Sequence, residues 1–208
     1  MIGVFGGTFD PVHFGHLRPA LEVLQGLQLQ EIRWIPCHQP PHREMPVADS
    51  SLRVEMLEIA IKNVDGMHVD TREIEREGPS YMVDTLKSLR EEAGDTPLCL
   101  LMGMDAFCGL DRWHKWQEIM ELSHLIVMQR PDSNEPETGE LAELLSRHKC
   151  ENIEQIVSEK AGRILFYQVT QMDISASQIR KTLREGKSLR YLMPDKVIDI
   201  IEREGLYV

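Results

Sequence analysis

An apolar run, a glycine-rich turn and the start of a helix follow one another at the beginning of the chain. Residues 2–5 predict a buried strand, and Leu17, Leu21 and Leu24 recur at the spacing of an amphipathic helix. Between them, residues 6–16 read Gly-Gly-Thr-Phe-Asp-Pro-Val-His-Phe-Gly-His. Glycines let a backbone approach a phosphate closely, and the N–H groups at a helix N-terminus favour its negative charge. This order of elements therefore predicts a phosphate-binding corner.

Two histidines stand in this corner, at a spacing that brings their side chains to one side. His13 and His16 are three residues apart, so both imidazoles are expected to project toward the same ligand. The stretch fits neither Gly-x-Gly-x-x-Gly nor the Walker A pattern. The pair could instead cap the turn, or bind zinc together with His38 and His42. A catalytic zinc site usually adds a carboxylate or thiolate at set spacing, and the sequence shows none, so we interpret the pair as phosphate-binding.

A second motif, Ile-Ser-Ala-Ser-Gln-Ile-Arg at residues 174–180, has the form of a well-capped helix start. Ser175 with Gln178 forms a capping-box pattern. Ser177 and Arg180 then lie on the same side of the first turn. A hydroxyl, free amides and a guanidinium together suit a triphosphate, although capping alone would explain part of the pattern.

The two motifs resemble the signatures of the His-x-Gly-His nucleotidyltransferase superfamily, in particular those of bacterial nicotinate-nucleotide adenylyltransferases. The second signature of that family is Ile-Ser-Ser-Thr-x-Ile-Arg, in which Ala176 and Ser177 here replace Ser and Thr while Arg180 is intact. A third similarity lies in residues 36–43, close to Pro-Asn-x-x-Pro-Pro-His-Lys, with Cys37 in place of Asn and Arg43 in place of Lys. The resemblance covers nearly the whole chain.

Strand-like and helix-like segments alternate after the first motif. Residues 98–102 are apolar throughout, as expected for a strand buried on both faces of a parallel sheet. Further strands are predicted at 31–36, 67–70, 125–128 and 164–168, and helices at 51–64, 81–90, around Trp113, His114 and Trp116, from 175 onward and at 195–203. Because Pro19 lacks an N–H, we expect the first helix to begin near His16 or to kink. Residues 72–77 are interpreted as a solvated charged face.

This alternation predicts an α/β fold, a doubly wound parallel sheet with helices on both faces. By resemblance it is Rossmann-like and of the nucleotidyltransferase type. We expect a single domain over residues 1–208, with the helical part from about 175 packed on the same core. Ligands of such sheets bind beyond the carboxyl ends of the strands, where the strand order reverses. The glycine turn and the Gly-Met-Asp sequence ending in Asp105 should therefore meet over one crevice.

The resemblance also implies a pyridine-nucleotide subsite. It assigns His42, Arg43, Thr85, Asp105 and Trp116 to that subsite, with Trp116 stacking on the pyridine ring and the backbone of residues 84–86 contacting its carboxylate. From residue types alone, Trp113 and Trp116 could equally be core anchors. Asp105 could likewise cap a helix, accept ribose hydroxyls or help order a metal.

The implied reaction is adenylyl transfer from ATP to nicotinate mononucleotide, giving deamido-NAD and pyrophosphate. His13, His16 and Arg180 are expected to act in catalysis. The ATP phosphates are expected to contact Gly6, Gly7, Thr8, Phe9, Ser175, Ser177 and Arg180. Mg²⁺ is expected to be held mainly by ATP oxygens, with no dedicated metal site on the protein. Two alternatives stay open: another phosphorylated acceptor, such as nicotinamide mononucleotide or phosphopantetheine, and a non-catalytic nucleotide sensor.

The composition of the chain argues against some classes of binding partner. A formal charge of −11 argues against a duplex or transfer-RNA partner, because phosphate backbones are bound through clustered Lys and Arg. A class I aminoacyl-tRNA synthetase also carries His-x-Gly-His, but no Lys-Met-Ser-Lys-Ser-like loop is present. The four cysteines form no Cys-x-x-Cys pair, and no apolar run approaches membrane-spanning length. We expect a cytoplasmic protein without a nucleic-acid or membrane partner, and a homo-oligomer stays open.

Overall fold

Strands and helices alternate along the chain in the computed structural model, which describes residues 1–41, 45–129, 135–170 and 172–208. The strands are β1 (Ile2–Gly7), β2 (Glu31–Pro36), β3 (Met67–Val69), β4 (Leu98–Gly103), β5 (His124–Gln129), β6 (Lys149–Cys150) and β7 (Ile164–Gln168). The helices are α1 (Phe14–Gly26), α2 (Ser50–Ile61), α3 (Arg72–Glu75), α4 (Met82–Ala93), α5 (Met104–Phe107), α6 (Trp116–Leu122), α7 (Gly139–His148), α8 (Ile153–Val157), α9 (Ala176–Arg184) and α10 (Asp195–Glu204).

In the described part of the chain, these strands form one parallel sheet of seven, in the order β3-β2-β1-β4-β5-β7-β6. The predicted fold class is confirmed. The strand order reverses between β1 and β4, which are neighbours in the sheet. The carboxyl ends of these two strands carry the glycine turn and Gly103. The sheet therefore opens its crevice at the place where the sequence predicts phosphate binding.

Each face of the sheet carries its own hydrophobic core, and β4 contributes to both. Cys99 and Leu101 pack in one core, whereas Leu98, Leu100 and Met102 pack in the other. Successive side chains of a strand point to opposite faces, so an uninterrupted apolar run fits a strand covered on both sides.

The C-terminal helices cover the first of these cores. Ile179 of α9 and Val197 and Ile200 of α10 are buried in the same cluster as Phe5 of β1 and Ile32 of β2. The start of α9 is thereby held next to the strand that ends in the glycine turn. This packing brings the second motif close to the first.

Several predicted boundaries are wrong for local reasons. The helix α1 begins at Phe14, because the carbonyl of His13 already accepts hydrogen bonds from the N–H groups of His16 and Leu17. Pro19 therefore lies in the second turn rather than the first. The predicted helix 51–64 ends at Ile61, and Val64 lies beyond it in a turn.

The predicted helix around the two tryptophans is also wrong. A short 3₁₀ turn, Leu110–Arg112, is separated from α6 by Trp113, His114 and Lys115. Lys115 has a φ of 49°, a left-handed conformation that no α-helix contains. As a result, the two tryptophans do not share a helical face.

Within the described ranges, no helix combines the length and the apolar composition that crossing a bilayer requires.

Candidate active site

A cleft of about 1300 Å³ lies over the carboxyl ends of β1 and β4. Its lining includes residues from the glycine turn, α1, the loop after β2, the start of α4, the end of β4 and the start of α9. His16 and Arg180 both line it, although they are far apart in the sequence. The volume is ample for a nucleotide together with a second phosphorylated substrate. The two motifs therefore share one cleft.

The glycine turn presents bare backbone to this cleft. Gly6, Gly7, Thr8 and Phe9 all line it, as does Asp10. A side chain at Gly6 would collide with the terminal methyl of Met82, and one at Gly7 would begin 2.9 Å from the ring of Phe9. Phe9 itself has a φ of 49°, and its side chain is buried in the core. The buried ring therefore anchors the turn.

Gly15 lets the two motifs approach each other. A Cβ built on it would lie 2.9 Å from His13 Nδ1 and 2.9 Å from the carbonyl oxygen of Ile174. Ile174 directly precedes Ser175, the N-cap of α9. The glycine between the two histidines is therefore needed for close contact between the first helix and the second motif. The motif spacing alone does not reveal this contact.

The two imidazoles stack on each other, with ring centroids 3.8 Å apart and planes inclined by 26°. His13 is buried, while His16 is half-buried, lines the cleft and meets the ring of Phe9 edge-on. Among the described residues, His13 Nδ1, His16 Nδ1 and Nε1 of the core residue Trp34 are buried without a hydrogen-bond partner. Buried polar atoms are normally paired, and the two unpaired imidazole nitrogens adjoin the cleft, which favours a functional role for the histidine pair.

Burial sets the charge of both histidines. Desolvation lowers the pKa of His13 to about 4. The pKa of His16 is also lowered well below its ordinary value, chiefly by desolvation and further by the neighbouring His13. Both imidazoles are therefore neutral at pH 7 and still offer one N–H each. An approaching phosphate would favour the protonated form of the ring that it meets.

Arg180 bridges the two motifs directly. Its Nη1 donates to the backbone carbonyl oxygen of Asp10 at 2.7 Å and lies 3.8 Å from Asp10 Oδ2. Its Nη2 donates to Ser177 Oγ at 3.4 Å. The guanidinium is thus positioned at the junction of the glycine turn and α9, with its side chain one-quarter exposed to the cleft.

Asp10 is the centre of a buried network that the sequence analysis missed. Its carboxylate accepts hydrogen bonds from Val47 N at 2.9 Å, Ala48 N at 3.1 Å and the hydroxyl of Tyr207 at 2.7 Å. The buried guanidinium of Arg53 donates to the carbonyl oxygen of Thr8 at 2.8 Å. These contacts fix the shape of the glycine turn. They join residues distant in sequence, so no local spacing could have indicated them.

The two serines of the second motif have different environments. Ser175 is the N-cap of α9, and its Oγ accepts a hydrogen bond from Gln178 N at 3.2 Å. Ser177 lines the cleft beside Ala176 and Arg180. The capping interpretation is therefore correct for Ser175, and Ser177 is the hydroxyl available to a ligand.

The opposite half of the cleft is aromatic. The rings of Tyr81 and His114 pack at a tilt of 32° with centroids 4.3 Å apart, and both line the cleft together with Trp113. Trp116 is only 8% exposed, packs in the second core and is not among the cleft-lining residues. In this structure α6 turns the Trp116 side chain into the core, and its stacking on a pyridine ring stays a prediction. Trp113 is the tryptophan in the cleft.

Thr85 also lies behind the cleft wall rather than in it. Its side chain is fully buried, and its hydroxyl donates to Glu73 Oε1 at 2.6 Å. Its backbone N–H, like that of Asp84, already donates to the carbonyl oxygen of Tyr81. The expected backbone contact from residues 84–86 to a carboxylate stays a prediction. In α4 the first-turn N–H groups, at Met82 and Val83, are the ones without an intrahelical acceptor.

Glu73 was expected on a solvated face and is instead 3% exposed in the cleft wall. Burial raises the pKa of its carboxyl, which Thr85 and Ser80 partly offset by hydrogen bonding. Ser80 Oγ in turn accepts from His38 N at 2.9 Å and Gln39 N at 3.3 Å. Glu73 therefore connects the start of α4 to the loop after β2.

The remaining predicted residues divide between the cleft and the undescribed part of the chain. Asp105 is exposed in the first turn of α5 and lines the cleft. His42 and Arg43 lie outside the described residues. Among the residues that are described, no three His, Cys, Asp or Glu side chains form a cluster that could hold a metal ion.

A parallel sheet with a histidine-bearing glycine turn at its switch point defines a nucleotidyltransferase-type α/β protein. The family model described as Cytidylyltransferase-like matches residues 4–182. That match covers nearly all of the sheet, the first motif and most of α9.

Curated relatives match over the full length. A protein of Methylococcus capsulatus is 51% identical over 208 residues, covering 100% of this chain and 99% of its own. Proteins of Aeromonas hydrophila and Pseudomonas putida are 44% and 46% identical, covering 99% of this chain and 96% and 94% of theirs. All three carry the name "Probable nicotinate-nucleotide adenylyltransferase". The chain belongs to this nicotinate-nucleotide adenylyltransferase family, and the suspected resemblance is confirmed.

Solved structures agree on the fold. The nicotinic acid mononucleotide adenylyltransferase of Plasmodium falciparum complexed with NaAD superposes with a TM-score of 0.71 at 19% identity, covering 99% of this chain and 96% of that one. The same enzyme complexed with APC gives a TM-score of 0.69.

Proposed function

We propose that this protein transfers the adenylyl group of ATP to nicotinate mononucleotide, forming deamido-NAD and releasing pyrophosphate in NAD biosynthesis. One observation supports it most: the guanidinium of Arg180 is hydrogen-bonded to the glycine turn and lines the same cleft as His16. The full-length relatives carry the name of this activity.

The chemistry needs no activated side chain. An oxygen of the mononucleotide's phosphate is already an anion; it forms a bond to the α-phosphorus of ATP while the bond from that phosphorus to the pyrophosphate oxygen breaks. The protein has to align the two phosphates and neutralise the charge that develops on the transferring and leaving groups. Imidazole N–H groups, a guanidinium and helix N-termini suit this task, and all line or adjoin the cleft.

The triphosphate is assigned to the glycine-turn side of the cleft. His16, Ser177 and Arg180 face it there, and His13 supports His16 from behind through ring stacking. The start of α9 adds first-turn N–H groups beyond those that Ser175 caps. After adenylyl transfer, the pyrophosphate is still held by the residues that stabilise its charge.

The acceptor is assigned to the aromatic side of the cleft. Tyr81, Trp113 and His114 offer flat surfaces for a pyridine ring, and the first turn of α4 offers N–H groups and a positive dipole end for a carboxylate. Both the N–H groups and the helix dipole would stabilise a bound carboxylate, whereas the dipole would stabilise a neutral amide less. This difference favours the acidic pyridine over its amide.

Mg²⁺ is proposed as the cofactor, bound to ATP oxygens, where it would offset phosphate charge. The oxygen ligands in the cleft fit an ion that ATP and the protein bind together rather than an ion that the protein holds alone. Asp105 places a hard oxygen ligand in the cleft, and the described residues offer no larger cluster around it.

Pyrophosphate release tests the proposal. The protein is incubated with MgATP and, in separate reactions, nicotinate mononucleotide, nicotinamide mononucleotide or phosphopantetheine. We expect release to be fastest with nicotinate mononucleotide. Faster release with another acceptor would contradict the substrate assignment, and release with none, despite ATP binding, would favour a nucleotide sensor.

A further inference from the structure

After α10, the chain turns back toward the glycine corner. Gly205 and Tyr207 both have positive φ, 59° and 67°, and Leu206 N donates to the carbonyl oxygen of Ile201 at 3.0 Å. This turn places the ring of Tyr207 in the first core, where it is 5% exposed. Its hydroxyl reaches Asp10 Oδ1 at 2.7 Å. Tyr207 is not among the residues that line the cleft.

Asp10 is an anion next to the cation that is proposed to bind phosphate. The Asp10 carboxylate lies 3.8 Å from Arg180 Nη1, yet that nitrogen donates at 2.7 Å to the backbone oxygen of Asp10 instead. Val47 N and Ala48 N donate to the two oxygens of the carboxylate, and Tyr207 donates the shortest of the three hydrogen bonds. These three hydrogen bonds come from donors other than the guanidinium, whose contact with Oδ2 is the longer ion pair.

The hydroxyl of Tyr207 stays protonated throughout the working range of pH. Burial raises its pKa, and the hydrogen bond to Asp10 raises it further. A phenol held in this way acts as a fixed neutral donor.

We propose that Tyr207 is a positioning residue for phosphate binding, which keeps the Asp10 carboxylate from closing on the Arg180 guanidinium. Without the phenol proton, Asp10 Oδ1 loses its shortest hydrogen bond and keeps only the one from Ala48 N, so the carboxylate is held less firmly. The ion pair between Asp10 Oδ2 and Arg180, now 3.8 Å long, would then shorten and compete with the triphosphate for the same guanidinium. The inference rests on the proposed function in assigning Arg180 to ATP.

Tyr207→Phe tests this role because it keeps the ring and removes only the hydroxyl. MgATP affinity is measured by titration calorimetry, which requires no acceptor substrate, in the wild-type and Arg180→Ala backgrounds. We expect Tyr207→Phe to weaken MgATP binding about tenfold in the wild-type background and less than about twofold when Arg180 is absent. The melting temperature should fall by the same amount in both backgrounds.

Tyr167→Phe is the matched control. Tyr167 lies in β7, packs against the same core and places its hydroxyl beside Gly26, at the opposite end of α1 from the cleft. Loss of the Tyr167 hydroxyl should leave MgATP affinity unchanged.

Two results would overturn the positioning role: unchanged MgATP affinity in Tyr207→Phe, or equal weakening in both backgrounds, which would make Tyr207 a packing residue only. A wild-type protein that binds MgATP but transfers nothing to nicotinate mononucleotide would overturn the proposed function and leave the Tyr207 comparison intact. A wild-type protein that binds no MgATP would overturn both.

Discussion

At the scale of single residues, the paired histidines differ from a structural histidine in the same chain. Both ring nitrogens of His124 have partners, the carbonyl oxygen of Glu159 at 2.9 Å and the N–H of Arg163 at 3.1 Å. Within the described residues, by contrast, His13 and His16 each have a buried Nδ1 without a partner. An unsatisfied buried nitrogen destabilises the fold, and two of them stacked beside a cleft favour a ligand-binding role for the pair.

His16→Ala is therefore expected to affect activity far more than stability. Removing a donor aimed at developing charge should lower kcat by about 100-fold or more. The free energy of unfolding should fall by less than about 2 kcal/mol. His124→Asn is the matched control and should show the reverse pattern in the same pyrophosphate assay and urea titration. Comparable losses of activity and stability in His16→Ala would make that histidine a packing residue.

The buried histidines also predict how stability depends on pH. In the unfolded chain His13 takes up a proton near pH 6.5, whereas in the fold it does so only near pH 4. The unfolded state binds more protons between these values, so stability is full above pH 6.5 and decreases as pH falls toward 4. His13 contributes on the order of 3 kcal/mol to this loss.

Urea titrations at pH 7, 6, 5 and 4 measure the effect. His13→Gln, which does not titrate, should flatten the curve over this window. A wild-type stability that is constant from pH 7 to 4 would contradict the assignment of neutral, desolvated imidazoles.

At the scale of elements, the site depends on contact between the beginnings of α1 and α9. The sequence predicted each helix start correctly enough to place His16 and Arg180, because caps and apolar spacing are local signals. The sequence did not predict that the beginnings of α1 and α9 come into close contact at Gly15, since this contact depends on how the two helices pack. The left-handed Lys115 likewise interrupts the helix expected around the two tryptophans, so Trp113 lines the cleft and Trp116 packs in the second core. The stacking role that the family resemblance implies for Trp116 stays a prediction.

Gly15→Ala tests the helix contact. The added methyl would meet a backbone carbonyl oxygen, which has little freedom to move, at 2.9 Å. We expect a loss of about 1–3 kcal/mol in unfolding free energy together with weaker MgATP binding. Gly109→Ala is the control, because its Cβ would meet only ordinary contacts at 3.7 Å or more. Unaltered MgATP binding in Gly15→Ala would show that the two helix starts need not approach this closely.

The two serines of α9 should separate folding from binding. Ser175→Ala removes the N-cap and should lower the unfolding free energy by about 0.5–2 kcal/mol with a small effect on the KM for ATP. Ser177→Ala removes the hydroxyl in the cleft and should raise that KM about tenfold with little change in stability. Steady-state kinetics and thermal denaturation on both variants measure the contrast. The opposite pattern would exchange the roles of the two serines.

At the scale of the whole molecule, the reversal of strand order between β1 and β4 determines where the site lies. The alternation of strands and helices was enough to predict the parallel sheet and its crevice, because a buried strand such as residues 98–102 has an unmistakable composition. The buried supports of the site were not predictable in this way. Asp10 and Tyr207, for example, are hydrogen-bonded across 197 residues, and a single sequence contains no signal for such a pair.

The central claim is that the glycine corner and the start of α9 hold the same polyphosphate. Hydrogen exchange with and without MgATP measures this most directly, by comparing peptides that cover residues 6–17 and 175–181 with a control peptide from α7, Gly139–His148. We expect both site peptides to gain protection with the same MgATP concentration dependence, while the α7 peptide is unchanged. Protection of only one site peptide, or different concentration dependences for the two, would contradict the claim.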